Sequence, residues 1–159
     1  KRLSPPACRQ GRKAIFLMDK RALRVIDANL NRLLEGLRVC EEIERFIICN
    51  ARLTSSFKKL RHKVTAASKG WDISPLLLIN SRDSRQDIGK PSIASELKRK
   101  NLPDIFYANI QRAKESARVL EEFAKLDNSK TALNFKDLRY KLYQIEKEAF
   151  AGLQSLRNN

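Results

Sequence analysis

The sequence predicts a mainly α fold: a helical bundle from tandem duplication of a helix-hairpin unit, with one long polar loop between the copies. Three observations predict it. Apolar residues recur at three- and four-residue steps over long windows, the pattern of helices that face a core. The composition, 42% hydrophobic and 32% charged with 5 Gly and 5 Pro, suits a compact helix-rich globule better than a disordered or β-rich chain. A polar motif occurs twice at a constant offset. At 159 residues the chain can bury one core but is too short for a (β/α)8 barrel.

Residues 1–17 combine Ser-Pro-Pro, a glycine and five Lys/Arg without helical or strand periodicity, which predicts a poorly ordered basic leader; residues 18–159 then form a single helical domain. From Lys20 to about Cys49, Ile26, Leu30, Leu33, Leu37 and Cys40 make the stripe of a first helix. Thr54 or Ser55 is expected to cap a second helix that runs to about Ser68 and ends before Gly70 and Pro75. The apolar run Pro75 to Ile79 has no alternation and reads as a short buried strand or an extended linker. Asn80 to Pro91 is polar, carries Gly89 and reads as a long loop. Ser92 or Ser95 is expected to cap a short helix to about Lys100. Pro103 starts another that runs to Leu126, and a last helix covers Leu133 to Leu156.

Laying Ala28–Glu42 over Ala108–Glu122, at an offset of 80, gives identities at Ala, Asn, Arg, Glu, Arg, Val, Glu and Glu. Downstream, Leu60-Arg61-His62-Lys63 matches Leu138-Arg139-Tyr140-Lys141 at an offset of 78, so the copies span about 24–68 and 104–148. One hairpin cannot bury its own apolar face, so the copies are expected to pack about a pseudo-two-fold axis, and a site on that axis would be lined twice. Arg32, Glu35, Val39, Glu42 and Phe46 share one side of the first helix, as do Arg112, Glu115, Val119 and Glu122 in the later copy. Exposed Arg–Glu ladders would explain such spacing. The polar identities persist, however, while Leu33 and Leu37 have drifted to Ala113 and Ala117, which puts a functional or buried-network role on an equal footing with the exposed ladder.

The formal charge of +15 attracts phosphates without choosing among nucleotides, nucleic acid and headgroups. Cys8, Cys40 and Cys49 follow no paired spacing, as expected of free thiols in a reducing cytosol. No apolar run approaches the roughly 20 residues of a membrane span, and a cytoplasmic location is expected. A P-loop is excluded because Gly89-Lys90-Pro91-Ser92 lacks the first glycine and has Pro where an amide must donate. A single histidine, His62, leaves almost no material for a His-based metal or triad site. In the loop, Asp83 and Asp87 offer oxygens to a hard cation, Arg82, Arg85 and Lys90 offer positive charge to phosphate, and Gly89 permits close backbone approach.

Arg24 through Val39, Leu60-Arg61-His62, Ser81-Arg82-Asp83, Asp87-Ile88-Gly89, Ala108 through Glu122 and Arg139-Tyr140 occur in that order. Together they resemble the divergent helical hydroxymethylpyrimidine-phosphate kinase domain of thiamine biosynthesis, which is often fused ahead of a thiamine-phosphate synthase barrel. The resemblance covers about residues 20–148. It implies ATP-dependent phosphorylation of hydroxymethylpyrimidine phosphate to its diphosphate with Mg²⁺, the partners being a small phosphate substrate, a nucleotide and a thiamine-phosphate synthase. It also implies that Asn29, Arg32, Glu35, Arg38 and His62, with Asn109, Arg112, Glu115 and Arg118, surround the substrate. Near the phosphates, Asp83 or Asp87 would hold magnesium, Arg82 and Lys90 would neutralise the transferring group beside Gly89, and Glu35 or Glu115 would orient the acceptor. Two other readings fit the same residues. One is a non-catalytic module that binds RNA or another polyanion, against which the scarcity of stacking aromatics counts. The other is a scaffold that docks a thiamine enzyme.

Overall fold

The computed structural model describes residues 19–91 and 97–156. Five α-helices follow in order: α1 Lys20–Glu42, α2 Ala51–Lys69, α3 Pro75–Ser81, α4 Leu102–Ala124 and α5 Ser129–Ser155, with a π-helical segment Ile43–Ile47 directly after α1. There is no strand among the described residues.

Each long helix starts where a short polar side chain can satisfy an otherwise unpaired amide of the first turn. Asp19 accepts from the Arg21 N–H at 3.0 Å, Asn101 from Asp104 at 2.9 Å and Asn128 from Thr131 at 2.9 Å. Helix α2 is capped by Asn50, which accepts from Leu53 at 3.1 Å, and not by Thr54 or Ser55. The reason is upstream. Cys49 takes a left-handed φ of 58° that turns the chain, so helical pairing begins at Asn50, and Thr54 lies inside it with its hydroxyl donating to the Asn50 carbonyl. The Pro75–Ile79 run is helical, neither strand nor linker. Pro75 sits in the first turn, where its missing N–H costs nothing, and only Leu78 and Ser81 of the helix are buried. The polar loop accordingly starts at Arg82. The two serines expected to cap a helix before Lys100 lie outside the described residues, and residues 97–100 form a turn and irregular chain.

Helix α1 packs on α4, α4 on α5, α5 on α2 and α2 on α1, which closes a four-helix square; α3 lies against the outside of α1. The α1–α4 and α2–α5 seams therefore face away from each other. The core is aliphatic, with Ile26, Leu33 and Leu37 of α1 meeting Ile110, Ala113 and Leu120 of α4. Phe57 and Phe106 stack edge to face with centroids 6.0 Å apart. Trp71 is buried against Phe135, its indole N–H donating to Asp127 at 2.9 Å. The pattern of buried and exposed residues over 31–40 recurs without change over 111–120, so equivalent residues of the motif have equivalent surroundings.

Candidate functional site

Where α1 and α4 cross, a cleft of about 490 Å³ is lined by Asn29, Arg32, Glu35 and Gly36 from one helix and Asn109, Arg112, Glu115, Ser116 and Val119 from the other. Apart from Val119, these are the same positions of the motif on both sides. Three- and four-residue steps put Asn, Arg, Glu and a small residue in one row along a helix, and the crossing faces the rows together. The small residue is required on the α1 side: a Cβ on Gly36 would come within 2.7 Å of the Asn109 carbonyl oxygen.

The cleft's charged side chains, Arg32, Glu35, Arg112 and Glu115, are exposed and do not pair with each other. Asn29 donates its amide to the Val25 carbonyl at 2.9 Å and Asn109 donates to Ile105 at 2.8 Å, which fixes both side chains and leaves each amide oxygen able to accept. Among the described residues Arg32, Arg112 and Glu35 have no hydrogen-bond or ion-pair partner, and Glu115 accepts only from Gln111 at 2.8 Å. The Arg–Glu ladder that the spacing allows at this level does not form. Two guanidiniums without carboxylate partners, flanked by carboxylates and amide oxygens, suit a ligand that carries an anionic group and hydrogen-bond donors.

One helical turn further on, the same residue types behave differently. Arg38 pairs with Glu42 at 2.7 Å and Glu41 at 3.5 Å, and Arg61 reaches the buried Glu41 at 2.7 Å from α2. In the other half Arg118 pairs with Glu122 at 2.7 Å and Glu121 at 3.0 Å, and Arg139 reaches the buried Glu121 at 2.9 Å from α5. These networks clamp the helices of each hairpin, so Arg38 and Arg118 are held by carboxylates and neither lines the cleft. The repeated motif thus divides into a cleft set and a clamping set. Glu41, Glu121, Arg61 and Arg139 have a role that sequence reasoning missed, although their repetition at offsets of 80 and 78 signalled it. Arg118 and Arg139 also border a neighbouring hollow of about 520 Å³ that shares Glu115 and Val119 with the cleft. His62 is exposed on α2 and lines none of these spaces.

The polar loop is fastened to the first half of α1. Arg82 makes a bidentate fork on the buried Asp27 with both bonds at 2.8 Å, and Arg24 donates to the Asp83 carbonyl at 2.7 Å. Asp83 accepts from the Gln86 N–H at 3.2 Å and Asp87 from the Gly89 N–H at 2.9 Å; Lys90 donates its N–H to the Asp87 carbonyl at 3.1 Å. None of Arg82, Asp83, Asp87, Gly89 and Lys90 lines the cleft, so the structure gathers Asn29, Arg32, Glu35, Asn109, Arg112 and Glu115 and leaves the loop beside them. No group of three or more His, Cys, Asp or Glu among the described residues is positioned to hold a metal ion.

Glu44, in the π-helical segment, is fully buried and neither carboxylate oxygen has a partner. Burial raises its pKa to about 7, against a smaller opposing pull from Arg52. Cys40, one turn earlier, is a buried free thiol whose pKa burial pushes far upward, with Glu44 and Glu146 adding to the effect; Cys49 is a free, exposed thiol. No described helix is long and apolar enough to cross a membrane.

Fold and cleft together define a helical-bundle domain in which two like-patterned hairpins meet at an arginine-lined seam. Comparison with known proteins specifies it further. Residues 24–148 match the ThiD2 family, and the chain belongs to that family. It is 37% identical over 141 residues, 86% of this chain, to a protein of Rhodopirellula baltica named thiamine-phosphate synthase. Over 124 residues, 77% of this chain, it is 37% identical to a protein of the same name from Synechocystis and 36% identical to one from Nostoc punctiforme. The chain spans only 37%, 34% and 34% of those relatives' lengths. No solved structure matches it.

Proposed function

We propose that this chain acts in thiamine biosynthesis as a kinase that transfers the γ-phosphoryl group of ATP to hydroxymethylpyrimidine phosphate. The observation that carries the reading is the pair of unpartnered arginines, Arg32 and Arg112, facing one cleft from both hairpins. The acceptor is a phosphate monoester, already mostly dianionic at neutral pH. One of its oxygens attacks the γ-phosphorus and the bond to the ADP oxygen breaks, so no general base is needed. What the protein must supply is positioning and charge neutralisation. Arg32 and Arg112 hold phosphate oxygens, while Glu35 or Glu115 and the Asn29 and Asn109 amide oxygens accept hydrogen bonds from the pyrimidine. Asp83 or Asp87 would hold magnesium, which would supply charge neutralisation for the phosphates. The relatives' shared name belongs to proteins about three times the matched length, so the synthase activity is not transferred to this chain.

The test is coupled ADP release with hydroxymethylpyrimidine phosphate, ATP and Mg²⁺, comparing the intact chain with Arg112→Ala, Arg32→Ala and Asp83→Ala. Turnover that falls at least 100-fold in both arginine variants, with unchanged circular dichroism, supports the reading. An intact, folded chain without turnover refutes it. One observation favours a second reading, a docking module for a thiamine-phosphate synthase: α3 exposes Leu76, Leu77 and Ile79 on a face that nothing described covers. That reading requires Leu76→Asp to abolish co-purification with the synthase.

A further inference from the structure

The seam opposite the cleft brings two more equivalent residues of the repeat together. Lys63 of α2 and Lys141 of α5, related by the offset of 78, line one groove of about 220 Å³. Lys59 stands on the rim, and Leu60 and Ile145 form the apolar floor. Lys63 continues into an adjoining hollow of about 290 Å³. There Asp137 occupies the position equivalent to Lys59 and pairs with Lys141, so the groove has one basic and one acidic end. At the basic end Glu148 is engaged by Arg52 at 2.5 Å, and neither Lys59 nor Lys63 makes an ion pair among the described residues.

Nothing in the packing calls for this arrangement. Leu60, Val64, Leu138 and Leu142 already bury the α2–α5 contact, whereas two ammoniums side by side repel. The neighbouring Lys141 holds the Lys63 pKa below its ordinary value, against a smaller opposing pull from Asp137. An oxyanion seated between the ammoniums removes that repulsion and gains three charge-assisted hydrogen-bond donors.

We propose that the basic end of the α2–α5 groove is a second anion site, separate from the α1–α4 cleft, that binds a small di- or polyphosphate between Lys59, Lys63 and Lys141. The inference stands whether or not the chain is a kinase, because it uses none of the cleft residues. It is tested by isothermal titration of the full chain with sodium pyrophosphate and, separately, ADP at about 0.15 M salt. The intact protein is compared with Arg32→Ala/Arg112→Ala, with Lys63→Met/Lys141→Met and with Lys59→Glu, which gives the basic end the charge of the acidic one. The arginine double variant is expected to keep a pyrophosphate site that both lysine changes weaken at least tenfold. Lys59→Glu lies on an exposed helix face, so it reports even if the lysine pair disturbs folding. If ADP shows the same lysine dependence, the ligand is the phosphate tail of a nucleotide; if only pyrophosphate does, it is a free polyphosphate. Pyrophosphate binding that vanishes in the arginine variant, or is unchanged in both lysine variants, overturns the proposal.

Discussion

Glu44→Gln should remove a pH dependence of stability that the intact protein owes to one residue. Glu44 has no exposed surface, neither oxygen has a partner, and its pKa in the fold is about 7 against 4.5 for a free glutamate side chain. A carboxyl group whose pKa is raised by folding binds its proton more tightly in the native state. Its contribution is therefore fully present below pH 4.5 and lost as the pH rises from there through 7. Each pKa unit corresponds to about 1.4 kcal/mol, so the native state loses about 3 kcal/mol relative to the unfolded chain over that window. The glutamine keeps the shape but cannot ionise. Urea titrations at pH 4.5, 6, 7 and 8, followed through the single tryptophan, Trp71, give both unfolding free energies. The difference, variant minus intact protein, should grow by about 3 kcal/mol from pH 4.5 to pH 8, with the other carboxylates cancelling. A difference that stays flat would show that Glu44 is solvated or partnered in solution, and the account of it as a buried carboxyl without partners would fail.

Gly36→Ala should cost about 1–3 kcal/mol through overpacking, because its Cβ meets a backbone oxygen that cannot turn aside, whereas Ser116→Ala at the equivalent position should be nearly neutral. Chemical denaturation checks both. Glu121→Ala takes the only carboxylate partner among the described residues from Arg139, whose side chain is 13% exposed, leaving it the Tyr143 hydroxyl, and should destabilise by about 3 kcal/mol; Glu121→Gln should recover part of that. Arg82→Ala removes one of the loop's two ties to α1 and leaves that from Arg24, so hydrogen exchange at residues 83–90 should accelerate while that of α4 and α5 stays unchanged. A thiol reagent applied to the native protein at pH 8 should label Cys49 and spare Cys40, as judged by peptide mapping, because the Cys40 thiol is buried and kept protonated.

The long helices were legible because Ile26, Leu30, Leu33 and Leu37, and the matching residues of α4, repeat often enough for the 3.6-residue period to show. Helix α3 was not, since seven residues hold too few turns for periodicity to separate a helix from a strand. That Asn, Arg and Glu of both copies line one cleft was readable from their recurrence at one offset. Which of the repeated arginines line it was not. Arg32 is followed by a glutamate only three residues on, whereas Arg38 has Glu41 at three and Glu42 at four, and Arg61 arrives from another helix to complete the shell of the buried Glu41. Arg82 looked free for phosphate because its partner, Asp27, lies 55 residues away in the chain. Local spacing lists which pairs can form, and tertiary contacts choose among them.

The contact at Gly36 does more than let two helices come close. With a backbone oxygen against a bare α-carbon, the separation of α1 and α4 at that level is set by atomic radii and cannot shrink. Any ligand that draws the helices together at one end of the cleft must therefore spread them at the other. Under the proposed function, a molecule held between Arg32 and Arg112 would meet two hairpins that can change their angle about this contact but not close on it.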